Sequence, residues 1–289
     1  HNETYQTQAK ENRIRLVSIK PPRGEIYAAN GEILAANQLV YTLTFSPVGV
    51  QNQEEVISSL VEVVKEYYPD ITAESIEEKI AQQQYRLFEP IVIIRDIPWD
   101  LVVELEEERQ DFPGVNISVE PLRDYPNSTL AGHVLGYIHS INAEELEAAS
   151  IEGFDYTMNS LIGKSGIEKQ YEKELRGIEG ARRVEVDAKN RPIGELVTLE
   201  PKPGNNLKLT IDLDLQKVME QSLNEVLTNL QQQNPKAKVG STVLLDVKTG
   251  AVLAMASLPA LNPDDWKGNI SNELAAYYFP QGEGYNPRS

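Results

Sequence analysis

Alternating and helical spacings of apolar residues succeed one another along the chain and mark out its elements. Short apolar runs flank Asn30-Gly31 within 26–35, which predicts a hairpin on a type I′ turn, whose two central residues need φ > 0. Residues 40–45 continue as strand, closed by Pro47 and Gly49. Val56, Leu60, Val64 and Tyr67 recur at helical spacing over 54–68, and Ile76 and Ile80 do so over 73–84, behind Thr72 as a cap. Residues 91–94 read as a short buried strand. Pro98 suits the first turn of a helix running to Arg109, with the acidic run 104–108 in solvent. Val115, Ile117 and Val119 alternate with polar residues, which predicts a strand covered on one face.

Tyr125-Pro126 ends that unit. Asn142, with Glu145 three residues on, has the form of a capping box for a helix to Ala149. The stretch 163–180 reads as a helix with Ile167, Tyr171 and Leu175 on one stripe, Ser165 as N-cap after Gly163, Gly166 in the first turn and Gly177 as C-cap. Glu168 and Glu172 lie one turn apart and repel by a few tenths of a kcal/mol, on the order of 0.3; Lys169 and Arg176 offset part of this. Spacing alone favours a solvated acidic face. The alternative is that a cation from elsewhere holds Glu168, with Arg23 the first candidate.

Strands are expected at 182–188 and 193–199, joined through 189–192. The break at 201–206 divides the chain into domains 1–205 and 206–289. Beyond it, 207–211 reads as strand and Asp212 as the cap of a helix burying Leu215, Met219, Leu223, Val226 and Leu230. Residues 241–247 and 251–257 read as central strands covered on each face, turned at Lys248-Thr249-Gly250. No further strand follows, so that sheet looks incomplete, and 1–20 shows little pattern beyond charge. The fold class is α+β.

Composition narrows the function. Among 289 residues, 27 Lys+Arg against 44 Asp+Glu leave a net charge of −17, which repels phosphate backbones and argues against nucleic-acid binding. Residues 1–24 run the other way, with Lys10, Arg13, Arg15, Lys20 and Arg23 against Glu3 and Glu11, compatible with an anionic membrane surface or a solvated edge. There is no cysteine, hence no disulfide framework or thiolate metal site. The longest apolar run, 251–261, is interrupted by Ser257 and Pro259 and falls short of the roughly 20 residues of a membrane span. No signal peptide is visible, and the chain reads as a soluble piece of a longer protein. His133 and His139 share no helical face and have no third ligand type beside them, so a structural role is preferred to zinc. Gly163-Lys164-Ser165 lacks the glycine that a phosphate loop needs at Met158, and no cofactor is implied.

Five stretches in order carry a resemblance. They are Arg23-Gly24-x-Ile26-x-x-x-Asn30-Gly31-x-x-Leu34-Ala35; Gly132-His133-Val134-Leu135-Gly136-Tyr137; Gly163-x-x-Gly166-Ile167-Glu168-x-x-Tyr171-Glu172-x-x-Leu175-Arg176-Gly177; Leu209-Thr210-Ile211-Asp212-x-x-Leu215-Gln216; and Asp246-x-x-Thr249-Gly250-Ala251 with the run on to Pro259. Together they resemble class B penicillin-binding proteins over nearly the whole chain from about Arg13. Phe112-Pro113-Gly114-Val115 and Tyr125-Pro126 resemble the elongation branch most, with the division branch as the alternative. Where the family usually has Asp-Arg before Asn-Gly, this chain has Ala28-Ala29.

The resemblance implies a multi-lobed pedestal followed by the opening elements of a transpeptidase domain. Its structural and interdomain residues would be Arg23, Gly24, Asn30, Gly31, Gly136, Gly166, Glu168, Tyr171, Glu172, Gly177 and Asp212. Such enzymes cross-link peptidoglycan with a Ser-x-x-Lys nucleophile. No serine here has a lysine three residues on; Ser75, Ser160 and Ser165 have one at four. Ser222-Leu223-Asn224, Ser140-Ile141-Asn142 and Lys248-Thr249-Gly250 match the remaining elements only by coincidence. The chain is therefore expected to hold no catalytic residue itself. The implied setting is the extracytoplasmic face of a bacterial membrane, with the anchoring helix absent here. Expected partners are a SEDS-family glycosyltransferase and other elongation-complex proteins, and peptidoglycan through the missing catalytic domain. The competing reading is a stand-alone scaffold on the same fold.

Overall fold

The computed structural model describes residues 14–82, 89–151, 153–154, 156–186, 192–267 and 272–278. The chain folds as a mixed α/β protein with several small sheets. In a three-stranded sheet, β1 (Ile14–Ile19) and β9 (Pro192–Leu199) flank β8 (Gly180–Val186), all antiparallel. No element was expected within 1–20. The strand forms there because Ile14 pairs with Glu185 and Ile19 with Gly180, partners too remote in sequence to leave a local signal. The junction expected at 189–191, the basic residues Lys10 and Arg13, and the end of the 73–84 helix lie outside the described residues.

The five-stranded sheet is built on β3 (Ile33–Phe45), which pairs with β2 (Ile26–Tyr27), β4 (Ile91–Arg95) and β5 (Val115–Asp124). The β2–β3 turn is not type I′. Gly31 N donates to Ala28 O at 3.0 Å and only Gly31 takes positive φ, at +89°. Asn30 instead accepts the Glu32 N–H on its side chain at 3.1 Å. A turn with one left-handed glycine ending it is the common three-residue alternative.

Helices α1 (Gln53–Val64), α2 (Ala73–Gln82) and α3 (Trp99–Glu107) cover part of this sheet. Val56, Ile57, Leu60, Ile76, Leu101 and Leu105 bury against Leu43, Phe45, Ile91, Ile93 and Ile94. Tyr67 falls beyond the end of α1 and is half-exposed, and Pro98 is the N-cap of α3 rather than part of its first turn.

A second core joins Ile26, Ala28, Leu34 and Ala35 to Tyr125, Leu135, Leu175 and Leu213. Around it lie α4 (Gly132–Leu135), the pair β6 (Ile138–Ser140) and β7 (Leu161–Gly163), and α5 (Ala143–Ile151). The Asn142–Glu145 capping box is formed in both directions, at 2.9 and 2.8 Å. The expected single helix after Gly163 is two short ones, α6 (Gly166–Gln170) and α7 (Glu172–Leu175), broken at Tyr171. The break turns Tyr171 outward, 41% exposed, and Glu168 inward, 0% exposed.

Strand β10 (Leu207–Lys208) runs parallel to β2 and leads into α8 (Leu213–Gln233). Asp212 caps α8 by accepting from Asp214 N at 3.1 Å and Leu215 N at 3.0 Å. Asp212→Ala should cost about 1 kcal/mol, read as a lower urea midpoint with unchanged slope.

The stripe on α8 has the expected period but another phase. Leu213, Gln216 and Leu227 are buried, whereas Leu215, Val226 and Leu230 are exposed. Gln216 fixes this phase: its amide donates to Met255 O at 2.7 Å and accepts from Met255 N at 2.8 Å, pinning α8 to a strand backbone. That strand, β12 (Val252–Leu258), pairs only with β11 (Gly240–Leu245) among the described residues. Val243 and Leu245 are half-exposed, so these strands are not covered on each face as expected. A 3-10 turn (Pro263–Trp266) and α9 (Asn272–Tyr278) follow. Trp266 stacks on Tyr137 with ring centroids 4.0 Å apart.

Candidate functional site

The densest polar assembly lies beneath the first hairpin, where Glu168 is clamped between two arginines. Arg23 enters from the loop before β2 and reaches Glu168 Oε2 with Nη2 at 2.8 Å and Nε at 3.2 Å. The same guanidinium meets both oxygens of Glu172, Nη2 to Oε2 at 2.8 Å and Nη1 to Oε1 at 3.2 Å. Arg123, near the end of β5, takes the other oxygen of Glu168 through Nε at 2.6 Å. Its Nη1 donates to Gly24 O at 2.8 Å, tying the hairpin entry to β5. Tyr125 and Tyr156 donate to Glu168 Oε1 at 3.3 Å and Glu172 Oε1 at 2.7 Å, and Gly163 N donates to Glu172 Oε2 at 2.9 Å.

Local chain geometry aims these groups. Asn37 brackets the Arg23 backbone, accepting from its N–H at 3.1 Å and donating to its carbonyl at 2.8 Å. Gly24 N donates to Leu175 O at 2.8 Å, an approach so close that a Cβ on Gly24 would meet Asn205 O at 1.8 Å. The break at Tyr171 rotates α7 relative to α6, so Glu168 and Glu172 converge on one cation instead of facing solvent.

Electrostatics follow. Burial alone would raise the Glu168 carboxyl, but the Arg123 and Arg23 guanidiniums outweigh it and hold its pKa below the ordinary glutamate value. Burial opposes the charge on Arg23 in the same way, and Glu168 and Glu172 more than restore it, raising its pKa. Burial first, then the Glu168 charge, pushes the Tyr125 hydroxyl well up, so it stays a donor. This is a structural lock. It holds the Glu168 carboxylate ionised and both carboxylates hydrogen-bonded.

The structure thus brings together Arg23, Gly24, Glu168 and Glu172, and the cation expected from Arg23 is in place. Arg123 and Tyr125 were missed; a lone Arg before Asp-Tyr-Pro has no periodicity to point at a carboxylate 45 residues away. Arg176, expected to offset Glu172, instead lies over the rings of Tyr156 and Phe154, at 4.4 and 4.9 Å from their centroids. Gly136 and Gly166 press against each other's backbone, and Gly177 packs on Lys202 and Gly204. Asn30 and Gly31 form the hairpin tip, Asp212 caps α8, and Tyr171 faces solvent. His133 Nε2 lies 2.9 Å from Pro259 O, and His139 meets the edge of Trp266. Among the described residues no group of three His, Cys, Asp or Glu could hold a metal, and no helix is long and apolar enough to cross a membrane.

Residues 18–209 match the family described as the penicillin-binding protein dimerisation domain, and the chain belongs to that family. Its relatives include the peptidoglycan D,D-transpeptidase MrdA of Acinetobacter baumannii, 35% identical over 94% of this chain and 38% of that protein. MrdA of Escherichia coli K12 is 33% identical over 93% of this chain and 40% of that protein. The chain therefore spans about two fifths of the length of these relatives. Among solved structures, penicillin-binding protein PBP2 of Helicobacter pylori in complex with MreC is similar with a TM-score of 0.67 at 26% identity, covering 95% of this chain and 48% of that one.

Proposed function

We propose that this chain is the pedestal of an elongation-type peptidoglycan D,D-transpeptidase, joined to the first elements of the catalytic domain. The observation that carries this reading is the alignment with MrdA proteins along more than nine tenths of the chain. Residues 1–205 form the pedestal and 206–289 the opening of the catalytic domain; the family match ending at residue 209 supports a boundary there. Arg23, Gly24, Asn30, Gly31, Gly136, Gly166, Glu168, Glu172, Gly177 and Asp212, with Tyr171 at the surface, frame the pedestal and its junction. The parent protein cross-links peptidoglycan at the extracytoplasmic face of the membrane, anchored by a helix. The pedestal positions its catalytic domain and meets elongation-complex proteins, an MreC-type protein and a SEDS-family glycosyltransferase. The MreC complex of the Helicobacter pylori relative supports the first of these partners.

The chain itself does no acyl transfer. The lock holds no activated serine, and the sequence holds no Ser-x-x-Lys. Incubated with a fluorescent penicillin, the chain should stay unlabelled while saturably binding the extracytoplasmic part of an MreC-type protein from the same source. A covalent label on any serine would overturn the first statement, and absence of binding the second.

A further inference from the structure

Beside the lock lies a small, partly open cleft of about 70 Å³ whose lining includes the cations Lys20, Arg23, Arg123 and Arg176. Arg23 contributes to the wall but is saturated by Glu168 and Glu172. Three other cations are not. Arg123 is 1% exposed, and its Nη2 is buried without an acceptor. Arg176 rests on the faces of Tyr156 and Phe154 and has no hydrogen-bond acceptor among the described residues. Lys20 donates to Asn159 O at 2.8 Å, and no carboxylate lies within ion-pair distance of it among the described residues. Arg95 donates to the same carbonyl at 2.6 Å, so two cations share one neutral oxygen. The carboxylate lining the cleft is Glu179, which accepts from Ser18 Oγ at 2.5 Å.

A protein of net charge −17 has carboxylates to spare, yet Lys20 and Arg176 have none within ion-pair distance among the described residues, and Arg123 keeps an unfilled N–H beyond its pair with Glu168. Burying a cation without a counter-charge is costly, and the cost is recovered when an anion enters. Burial, followed by the Arg95 charge, lowers the Lys20 pKa, outweighing the opposing charges of Glu120, Glu179 and Glu89. A guanidinium placed over two rings and bonded to no acceptor keeps its N–H groups available for the forked hydrogen bonds that carboxylate and phosphate accept. We propose that this cleft is a binding site for a small oxyanion, a carboxylate or phosphate group, held by Arg176 and Lys20 at its walls and by the field of Arg123 behind them. The site is independent of the transpeptidase reading. It would give the pedestal a ligand of its own beside the lock that fixes its shape.

The test is an NMR titration of the full chain at constant ionic strength, following the Arg176 side-chain N–H signals. Inorganic phosphate and acetate are the two probes, with chloride as the balancing anion. Saturable shifts with either probe support the site, and the tighter of the two tells whether a phosphate or a carboxylate is the better ligand. Arg176→Gln and Lys20→Gln, followed through backbone amides lining the cleft, should each weaken that binding at least tenfold. Arg176→Lys, which keeps the charge, should weaken it less, and Lys65→Gln, at the C-cap of α1 and outside the cleft lining, should leave it unchanged. Near-UV circular dichroism establishes that each variant is folded. Shifts that never saturate with either probe, or the same affinity in folded Arg176→Gln and Lys20→Gln, overturn the proposal.

Discussion

Glu168→Gln should destabilise the fold by about 3–5 kcal/mol, because the neutral amide leaves two buried guanidiniums facing each other without their shared counter-charge. Arg23 and Arg123 are 9% and 1% exposed, and Glu168 is fully buried, so water cannot take over the pairing. Chemical denaturation would show the loss as a lower midpoint. Glu172→Gln should cost less, since Glu172 is 17% exposed and Arg23 keeps Glu168. An unchanged midpoint in Glu168→Gln would mean that the clamp contributes no net stability.

The same carboxylate gives the fold an acid limit. Its pKa is lower folded than unfolded, so its stabilising contribution is complete above the unfolded value, about 4.3, and is lost as pH falls through the folded value. Wild-type stability should therefore decline below about pH 4.3. That part of the decline should be missing in Glu168→Gln.

Gly136→Ala is the second large effect. Gly136 holds φ +73° and ψ −159°, a conformation open essentially to glycine alone, and a Cβ there would meet Ser165 O at 2.0 Å. Backbone strain of about 1–3 kcal/mol adds to an overpacking cost of similar size. The neighbour is backbone in the loop that starts α6, so relief would have to displace Glu168 from its arginines. Gly31→Ala offers the contrast. It also has positive φ, +89°, but nothing lies within 4 Å of the added methyl, so only the left-handed strain of about 1–2 kcal/mol remains. Parallel thermal melts should rank Gly136→Ala well below Gly31→Ala, and equal losses would refute the close-packing argument.

Much of the architecture was legible along the chain. Helices α1 to α3 follow from their helical period and strand β4 from its short apolar run, whereas β5 forms as expected but leaves Val119, expected on the covered face, 58% exposed. The Asn142–Glu145 box and the Asp212 cap are contacts over two or three residues, which a sequence displays directly. Arg23 as the partner of Glu168 came from a different kind of signal, a pair of like charges one turn apart that needed a counter-charge.

Tertiary structure decided the rest. Strand β1 exists because β8 accepts it; α8 turned its buried stripe because Gln216 found the Met255 backbone; Tyr171 left the core because two arginines drew Glu168 in. In each case a polar or backbone partner remote in sequence outweighed a local apolar preference. The sequence by itself determined the period of the elements, their caps and the motif order that places the chain in its family. Only the fold decided which side chains face inward, because a charge can be buried only where its counter-charge arrives, and Arg123 reaches Glu168 from across the sheet.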